Sequence, residues 1–330
     1  MRVPFVWRQT CVRKAFVLSV IAALLGAAPR PAVAAEDWPA RPITLVLAFA
    51  SGAMIDFVGR SLAIDLSTAL GQPVVVESKP GAGGAIAAMY VAKAAPDGYT
   101  LLMTAVGPAV LRPLMEKSLG YDTDADFTPI SLLGEAPNIL IANPKLGLNT
   151  VKDQVAYAKT QDNKISIGHA GPGTMGHLCS VVFAAQAGID GNFIAYRGTA
   201  PMMTDLLGGQ IESGFPGYNP ATRSAKILAV TSNERVDFLP GVPTMKESGF
   251  DVVGGTWQAI FAPAHMPAAI VAKLNAAIDA FLRKPETQRR FSEAGFLVFG
   301  GPPARLSDQI AEDRAKWSKI IAGLNRDAVK

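Results

Sequence analysis

The run 71–100, with the sequence GQPVVVESKPGAGGAIAAMYVAKAAPDGYT, constrains the fold more than any other part of the chain. It begins with the β-branched segment Val74–Val76, a composition typical of strands buried on both faces. Glycines at 81, 83 and 84 then let the backbone turn tightly into a helix predicted over Ala85–Ala94. Free N–H groups and the positive dipole end at such a helix start suit a carboxylate or a phosphate. This run therefore predicts an α/β unit with an anion site where its helix begins.

Strands alternate with helices along the rest of the chain. The predicted strands are Ile43–Phe49, Val74–Glu77, Thr100–Thr104, Asn138–Ala142, Ile165–Gly168, Phe193–Tyr196 and Ile227–Thr231. The helices predicted between them include Leu111–Lys117, Met175–Ala187 and Pro201–Leu207, and Thr150 with Asp153 has the spacing of a capping box. This alternation predicts α/β domains, each a mostly parallel sheet flanked by helices.

Two amphipathic helices are predicted at the end of the chain. Their apolar stripes are Ile270, Leu274, Ile278, Phe281 and Leu282 in the first helix, and Leu306, Ile310, Trp317, Ile320 and Leu324 in the second. Both stripes favour packing into a core over contact with a partner.

The N-terminus has the pattern of a secretory signal peptide. Basic residues from Arg2 to Lys14 precede an apolar run over Ala15–Ala28, and small residues follow at 32–35. The apolar run is short for a membrane span and is followed by a small-residue cleavage site. We therefore predict that residues 1–34 form a signal peptide cleaved near Ala34, and that the exported product has no stable membrane insertion.

Removal of the signal peptide changes the charge balance. Five of the 31 Lys and Arg residues lie in 1–34, which leaves 26 basic residues against 27 acidic ones. A nearly neutral mature protein gives no compositional support for a nucleic-acid partner. Cys11 leaves with the signal, so Cys179 is alone and no internal disulfide is possible. The remaining length, about 296 residues, exceeds the usual size of one domain and predicts two.

Several further motifs, taken in order with the run 71–100, carry a resemblance to a known family. They are Trp38–Ile43, Tyr196–Pro201, Asp205–Gln210, Leu228–Ser232 and Trp257–Pro263. In their number and order they resemble the Bug, or tripartite tricarboxylate transporter (TctC-type), substrate-binding proteins of the bacterial periplasm. The resemblance covers the chain from about Trp38 to the C-terminus.

The resemblance implies a two-domain clamshell of the type II periplasmic-binding-protein (Venus-flytrap) kind. It implies a discontinuous first domain over 35–135 plus 260–330, a second domain over 136–259, and a ligand cleft between them. The chain would cross between domains near Glu135 and near Trp257–Phe261.

Three glycine loops precede helices at the carboxyl ends of strands, where open parallel sheets bind ligands. These loops are Ser51–Asp56, Lys79–Gly84 and Gly171–Met175, and Gly107 adds a fourth glycine after a strand. The resemblance adds Asp205, because the family uses an aspartate near its cleft, often through water; the alternative is a carboxylate on the helix surface. Trp257 could form one wall of the cleft with its indole ring; the alternative is a residue of the core. The predicted ligand contacts are Phe49, Ser51, Gly52, Ala53, Met54, Asp56, Gly83, Gly84, Thr104, Ala105, Gly107, His169, Ala170, Gly173, Thr174, Asp205 and Trp257.

Motifs for catalysis are poorly represented. The run Gly171–Gly176 formally matches a dinucleotide fingerprint, but its acidic partner Asp190 precedes a strand instead of ending one. A Gly-Lys-Ser/Thr phosphate loop, a Gly-x-Ser-x-Gly nucleophile and metal-ligand spacings of His or Cys are absent from the sequence. His169 could contact a ligand, although a structural role is favoured. No catalytic residue, metal or cofactor is therefore predicted.

The chain departs from the family pattern in its first loop. Where the family usually has Pro-Phe-Pro-x-Gly-Gly-Ser-Thr-Asp, residues 48–56 read AFASGAMID, so two polar side chains are replaced by Met54 and Ile55. If these side chains face the cleft, they favour an aromatic or longer alkyl carboxylate over a small dicarboxylate or an amino acid.

We therefore predict a periplasmic solute-binding protein that captures a small organic carboxylate for inner-membrane transporter subunits, acting as a monomer and not as an enzyme. Two alternatives stay open at this stage. One is a ligand-binding partner of a sensor system, which needs the same ligand-dependent closure. The other is a secreted enzyme on the same scaffold.

Overall fold

The computed structural model describes residues 38–116, 118–162 and 164–323. The predicted signal peptide and its cleavage site lie outside the described residues. All the elements that follow belong to one compact unit that begins at Pro39.

The described strands form two sheets. The first sheet contains β1 (Ile43–Leu47), β2 (Val74–Ser78), β3 (Thr100–Ala105), β4 (Phe127–Pro137), β10 (Gly255–Pro263) and β11 (Leu297–Val298), in the order β11-β4-β10-β3-β1-β2. The second sheet contains β5 (Ile139–Ala142), β6 (Lys164–His169), β7 (Asp190–Ala195), β8 (Ser213–Gly214) and β9 (Lys226–Val230), in the order β7-β6-β8-β5-β9. A two-sheet α/β architecture confirms the predicted fold class.

The described helices flank these sheets. They are α1 (Met54–Leu70), α2 (Ala85–Ala92), α3 (Arg112–Met115), α4 (Val151–Thr160), α5 (Met175–Ala187), α6 (Thr199–Gly208), α7 (Ala268–Leu282), α8 (Pro285–Glu293) and α9 (Pro303–Gly323). Shorter helical turns occupy Ala82–Gly84, Gly107–Leu111, Pro144–Leu146 and Pro220–Ser224. The predicted capping box is present at the start of α4, where Thr150 and Asp153 exchange hydrogen bonds. Among the described helices, none has both the length and the apolar character that crossing a bilayer requires.

Both sheets are mixed, which corrects the expectation of mostly parallel sheets. β1 pairs in parallel with β2 and β3, because α1 and α2 supply the helical crossovers that parallel neighbours need. β10 is antiparallel to both β3 and β4, and in the second sheet β5 is antiparallel to β8 and β9. The chain reaches β5 and β10 from the other sheet, and no helical crossover precedes either strand.

The chain passes between the two sheets twice, once almost directly from β4 to β5 and once through residues 231–254 between β9 and β10. β4 ends at Pro137 in the first sheet, and after Asn138 alone the chain continues as β5 in the second. The fully buried Thr231 joins the two connections, because its hydroxyl lies 2.9 Å from the Asn138 carbonyl oxygen and 2.6 Å from that of Gly254. The positions predicted for the crossings, near Glu135 and near Trp257–Phe261, lie in β4 and β10 close to these two connections. The domain boundaries stay predictions.

The C-terminal helices pack on the first sheet. α7 lies against α1 and β4 and buries all five residues of its predicted stripe. α9 lies against β4 and buries Leu306, Ile310 and Trp317, while Ile320 is half-buried; Leu324 lies outside the described residues. Lys284 also forms an ion pair with Asp65 of α1. This return of the chain supports the predicted discontinuous first domain.

Candidate functional site

A cavity of about 90 Å³ lies where loops from the two sheets meet the connecting strands. The first sheet contributes the loops after β1 and β3, and the second sheet contributes the loops after β6 and β8. The lining residues are Phe49, Ala53, Met54, Ile55, Ala105, Gly107, Ala136, Asn138, Ala170, Thr174, Met175, Gly176, Thr199, Phe215, Gly217, Asn219, Thr256 and Gln258.

Three helices begin at this cavity. Met54 starts α1, Met175 starts α5 and Thr199 starts α6, and all three residues belong to the lining. In the described structure no side chain caps the first turn of α1 or α6, whereas Thr174 accepts a hydrogen bond from the His177 N–H in α5 at 3.4 Å. Uncapped N–H groups and three positive dipole ends give the cavity a favourable potential for an anion.

The described lining contains no charged side chain. Its positive potential therefore comes from backbone N–H groups and helix dipoles. Such groups bind a carboxylate without the desolvation penalty of a buried Arg or Lys.

Most polar side chains of the lining are already bonded to the protein. Asn138 donates from Nδ2 to the Phe215 carbonyl at 3.2 Å and accepts at Oδ1 from the Thr256 hydroxyl at 2.7 Å. The Thr174 hydroxyl donates to the Gly171 carbonyl at 2.7 Å. Asn219 accepts from the Ala221 N–H at 3.0 Å and lies 3.4 Å from the Gly217 carbonyl oxygen.

Two polar side chains of the lining retain bonding capacity. The Thr199 hydroxyl makes no hydrogen bond within the described part of the chain. Gln258 is 3% exposed, and its Oε1 has no partner among the described residues. A ligand can therefore reach one hydroxyl, one carboxamide and the backbone of three helix starts.

Seven of the sequence-predicted contacts line the cavity together. They are Phe49, Ala53, Met54, Ala105, Gly107, Ala170 and Thr174. Met54 and its neighbour Ile55 also belong to the lining. The predicted preference for apolar ligands required these two residues to face the cleft.

The predicted glycines Gly83, Gly84 and Gly173 lie outside the lining and allow loops to approach one another. A Cβ atom added at Gly83 would lie 2.4 Å from the Pro172 carbonyl oxygen, and one at Gly173 would lie 2.4 Å from Arg112 Cγ. Gly84 approaches the Pro108 ring in the same way, with a distance of 2.4 Å. The missing side chains of Gly83 and Gly173 thus bring a loop of the first sheet against the loop after β6, whereas Gly84 allows a close approach to Pro108 after β3.

Arg112 lies within this loop contact. It is 7% exposed, pairs through Nη2 with Glu116 Oε2 at 2.6 Å, and places Nη1 3.5 Å from the Pro172 carbonyl oxygen. Its aliphatic stem lies beside Gly173. The arginine therefore joins the two loops outside the cavity and is not part of the lining.

The remaining residues predicted in the first loop also lie off the cavity wall. Ser51 and Gly52 are exposed. Asp56 accepts hydrogen bonds from the Gly52 N–H at 3.2 Å and from Arg60 Nε at 2.7 Å. The Asp56 carboxylate therefore holds the loop in front of α1, and its contact with a ligand stays a prediction.

His169 supports the loop after β6 from beneath. Its ring stacks on that of His177 with centroids 4.3 Å apart, and its Nδ1 lies 3.0 Å from the Gly171 carbonyl oxygen. The Gly173 N–H donates to His177 Nδ1 at 3.3 Å. Burial, together with the neighbouring His177, lowers the pKa of His169 to about 3. Neither histidine belongs to the lining.

The last three predicted contacts, Asp205, Trp257 and Thr104, lie outside the cavity lining. The Asp205 carboxylate accepts from the Tyr196 hydroxyl at 2.8 Å. Trp257 is buried and donates from its indole N–H to Asp313 at 2.6 Å. Thr104 pairs with Ala259 in the sheet, so its side chain projects from the face opposite the one that carries Gln258 and Ala105.

Sequence reasoning missed much of the second-sheet wall and the connecting strands. The missed lining residues are Ala136, Asn138, Met175, Gly176, Thr199, Phe215, Gly217, Asn219, Thr256 and Gln258. Strand alternation could have found Thr256 and Gln258, because they flank Trp257 and point to the other face. The segment 215–219 carries no comparable signal, since its residues reach the wall only through the turn after β8.

Groups of three or more His, Cys, Asp or Glu side chains able to hold a metal ion do not occur in the described ranges. Cys179 is buried, and burial raises the pKa of its thiol to about 12.

A two-sheet α/β fold with helix starts around a central cavity defines a solute-binding protein of the clamshell type. The chain belongs to the Tripartite tricarboxylate transporter family receptor (TctC) family, whose model matches residues 58–326. Protein BugT of Bordetella pertussis is 33% identical over 313 residues, covering 92% of this chain and 95% of BugT. Membership in a receptor family confirms the prediction of a binding protein instead of an enzyme.

Two solved structures from Rhodopseudomonas palustris share the fold. The first, solved with adipate, is 32% identical with a TM-score of 0.83, covering 87% of this chain and 98% of its own. The second, MatC with bound malate, is 31% identical with a TM-score of 0.80, covering 89% of this chain and 100% of its own.

Proposed function

We propose that this protein is an extracytoplasmic receptor that captures a small organic carboxylate and presents it to a tripartite tricarboxylate-type transporter. The observation that carries the proposal is the meeting of three helix N-termini at one cavity whose described lining is uncharged. Adipate and malate in the two R. palustris relatives are carboxylates, which supports the same ligand class here.

The ligand carboxylate would accept hydrogen bonds from the first N–H groups of α1, α5 and α6. Those donors come from both sheets, so a bound anion stabilises the arrangement in which the two sheets approach. Helix dipoles add to this attraction and need no counter-charge from a side chain. Capture requires no covalent step, and the ligand leaves unchanged when the sheets separate.

Isothermal titration of the mature protein with malate, adipate and butyrate tests this proposal. Each acid is compared with its primary amide, which has nearly the same shape but no charge. We expect at least one acid to bind and its amide to bind on the order of a hundredfold more weakly, since a charge-assisted hydrogen bond contributes about 1.5–3 kcal/mol. Equal affinity for acid and amide would contradict recognition of an anion by helix starts.

Localisation and assembly follow from the same proposal. We expect the protein in the periplasmic fraction, cleaved near Ala34 and monomeric. Mass spectrometry of the protein from that fraction gives the mature N-terminus, and light scattering on a sizing column gives the oligomeric state. A full-length N-terminus in the cytoplasmic fraction would contradict export.

A further inference from the structure

We infer that Gln258 is a specificity-determining residue of the cavity and that the preferred ligand is a short-chain monocarboxylate carrying one neutral hydroxyl group. The inference rests on the proposed carboxylate-binding function and adds the substrate class.

Gln258 occupies the middle of the first sheet. It lies opposite Ala105 on β3 and Gly134 on β4, neither of which has a polar side chain that could bond to its carboxamide. The residue is 97% buried, and its Oε1 lacks a partner among the described residues. A buried carboxamide without a partner is costly, so a ligand group that bonds to it is bound preferentially.

A hydroxyl group suits this carboxamide better than a group that can only donate or only accept. Turning the amide about its last bond exchanges the positions of its oxygen and its NH₂ group. A ligand hydroxyl both donates and accepts, so it bonds to Gln258 in either orientation. Asn138, Thr174, Asn219 and Thr256 are already bonded to protein groups. Of the two remaining polar side chains, Thr199 is half-buried and Gln258 is almost fully buried, so Gln258 gains more from a ligand partner.

The charge distribution restricts the ligand to one carboxylate near the helix starts. The first-sheet wall consists of Phe49, Ala53, Met54, Ile55, Ala105 and Gly107, none of which has a side chain that can form a hydrogen bond to a carboxylate. A second carboxylate packed against these side chains, away from the first turn of α1, would lose its water without replacement hydrogen bonds. A methyl or methylene group gains from the same contacts.

The size of the cavity limits the carbon skeleton. Its volume is about 90 Å³, whereas an engineered apolar cavity that binds benzene has about 150 Å³. A chain of a few carbons therefore fits better than an aromatic ring. The inferred short-chain acid replaces the earlier expectation of an aromatic or longer alkyl acid.

Titration calorimetry of the mature protein with 3-hydroxybutyrate, butyrate, 3-methoxybutyrate and succinate tests the inference. We expect the wild type to bind 3-hydroxybutyrate at least about tenfold more tightly than butyrate, because one hydrogen bond and one buried amide are then satisfied. The methoxy acid, which accepts but cannot donate, and succinate should both bind more weakly than the hydroxy acid.

Gln258→Leu should lower the ratio of 3-hydroxybutyrate affinity to butyrate affinity to about one, because the carboxamide that bonds to the hydroxyl group is then absent. The matched control is Gln154→Leu. Gln154 is 1% exposed and also has an Oε1 without a partner among the described residues, but it lies outside the cavity lining. Its variant should retain the full ratio between hydroxybutyrate and butyrate.

The ratio of 3-hydroxybutyrate to butyrate affinity in the wild type tests the inference even if Gln258→Leu does not fold. Binding of butyrate or succinate at least as tightly as 3-hydroxybutyrate would overturn the inference and leave carboxylate binding intact. An unchanged ratio in a folded Gln258→Leu variant would also overturn it. Failure of every acid, including malate and adipate, would instead contradict the proposed function.

Discussion

At the scale of single residues, Met54 and Ile55 set the chemistry of one cavity wall. Their side chains are 7% and 3% exposed, yet both belong to the lining at the start of α1. They supply apolar contacts at a helix end that would otherwise attract polar ligand groups.

We therefore expect Met54→Ser combined with Ile55→Thr to change the ligand preference. The ratio of butyrate to succinate affinity should fall about tenfold or more, because apolar contact is lost and hydroxyl groups become available to a second carboxylate. Calorimetric titration measures the ratio. Ile64→Thr is the control on the same helix, since Ile64 is 74% exposed and outside the lining. An unaltered ratio in the double variant would show that these side chains do not select the ligand.

The single residue His169 makes the free energy of unfolding depend on pH. Its pKa is about 3 in the folded protein because of burial, whereas an unfolded histidine titrates near 6.5. The unfolded state therefore binds more protons between these values, and the free energy of unfolding falls as the pH drops from about 6.5 towards 3.

We expect His169→Gln to flatten this dependence by about 1 kcal/mol per pH unit below pH 6. Urea unfolding between pH 4 and 7 measures the slope. The exposed His265→Gln variant, tested in parallel, should keep the wild-type slope. A His169→Gln slope equal to the wild type would mean that the histidine is not held neutral by its surroundings.

At the scale of elements, two loops and the start of α3 make a contact next to the cavity. The loop before α2 meets the loop after β6 through Gly83 and Pro172, and Arg112 lies against Gly173. Glycine is required here for close approach between protein segments. Because this contact joins loops from both sheets, we expect it to form only when the two sheets are close together.

Gly173→Ala should therefore weaken ligand binding by on the order of tenfold, because the new methyl group meets Arg112 in the closed arrangement. Gly188→Ala is a matched control. Gly188 has a φ of 63° against 68° for Gly173, but an added Cβ there meets no described atom within 4 Å. Both variants should lose about 1 kcal/mol of stability from backbone strain, and only Gly173→Ala should lose affinity. Equal ligand affinities of the Gly173→Ala and Gly188→Ala variants would show that the loop contact takes no part in closure.

At the scale of the whole molecule, two sheets share a cavity and are connected by the passage from β4 to β5 and by residues 231–254. The Thr231 hydroxyl bonds to both connections, at Asn138 and at Gly254, so we expect the sheets to move relative to each other about this point. A ligand held by helix starts from both sheets binds the closed arrangement preferentially.

Saturating carboxylate should both compact and stabilise the mature protein. At a concentration of about 100 times Kd, we expect a gain of about 2.7 kcal/mol in the free energy of unfolding and a smaller radius of gyration. Chemical unfolding and small-angle X-ray scattering measure the two effects on one sample. A stabilised protein with an unchanged radius would argue against closure but not against binding.

The sequence by itself determined the α/β class, the glycine loops, most helices and the family, because these depend on local patterns. Met175–Ala187 was predicted with its observed ends, and the capping box at Thr150 was visible from two side chains. The first-sheet wall of the cavity was likewise accessible, since Phe49, Met54 and Gly107 follow strands directly in the chain.

Only the tertiary structure decided which side of each strand and loop faces the cavity. Trp257 points to Asp313 while its neighbours Thr256 and Gln258 face the ligand space, and this depends on how β10 pairs with β3 and β4. Gly83 and Gly173 lie against Pro172 and Arg112, residues distant in the chain, and their contact with an anion stays a prediction. Local sequence fixes where the backbone can turn, but contact between segments far apart in sequence depends on the packing of the whole chain.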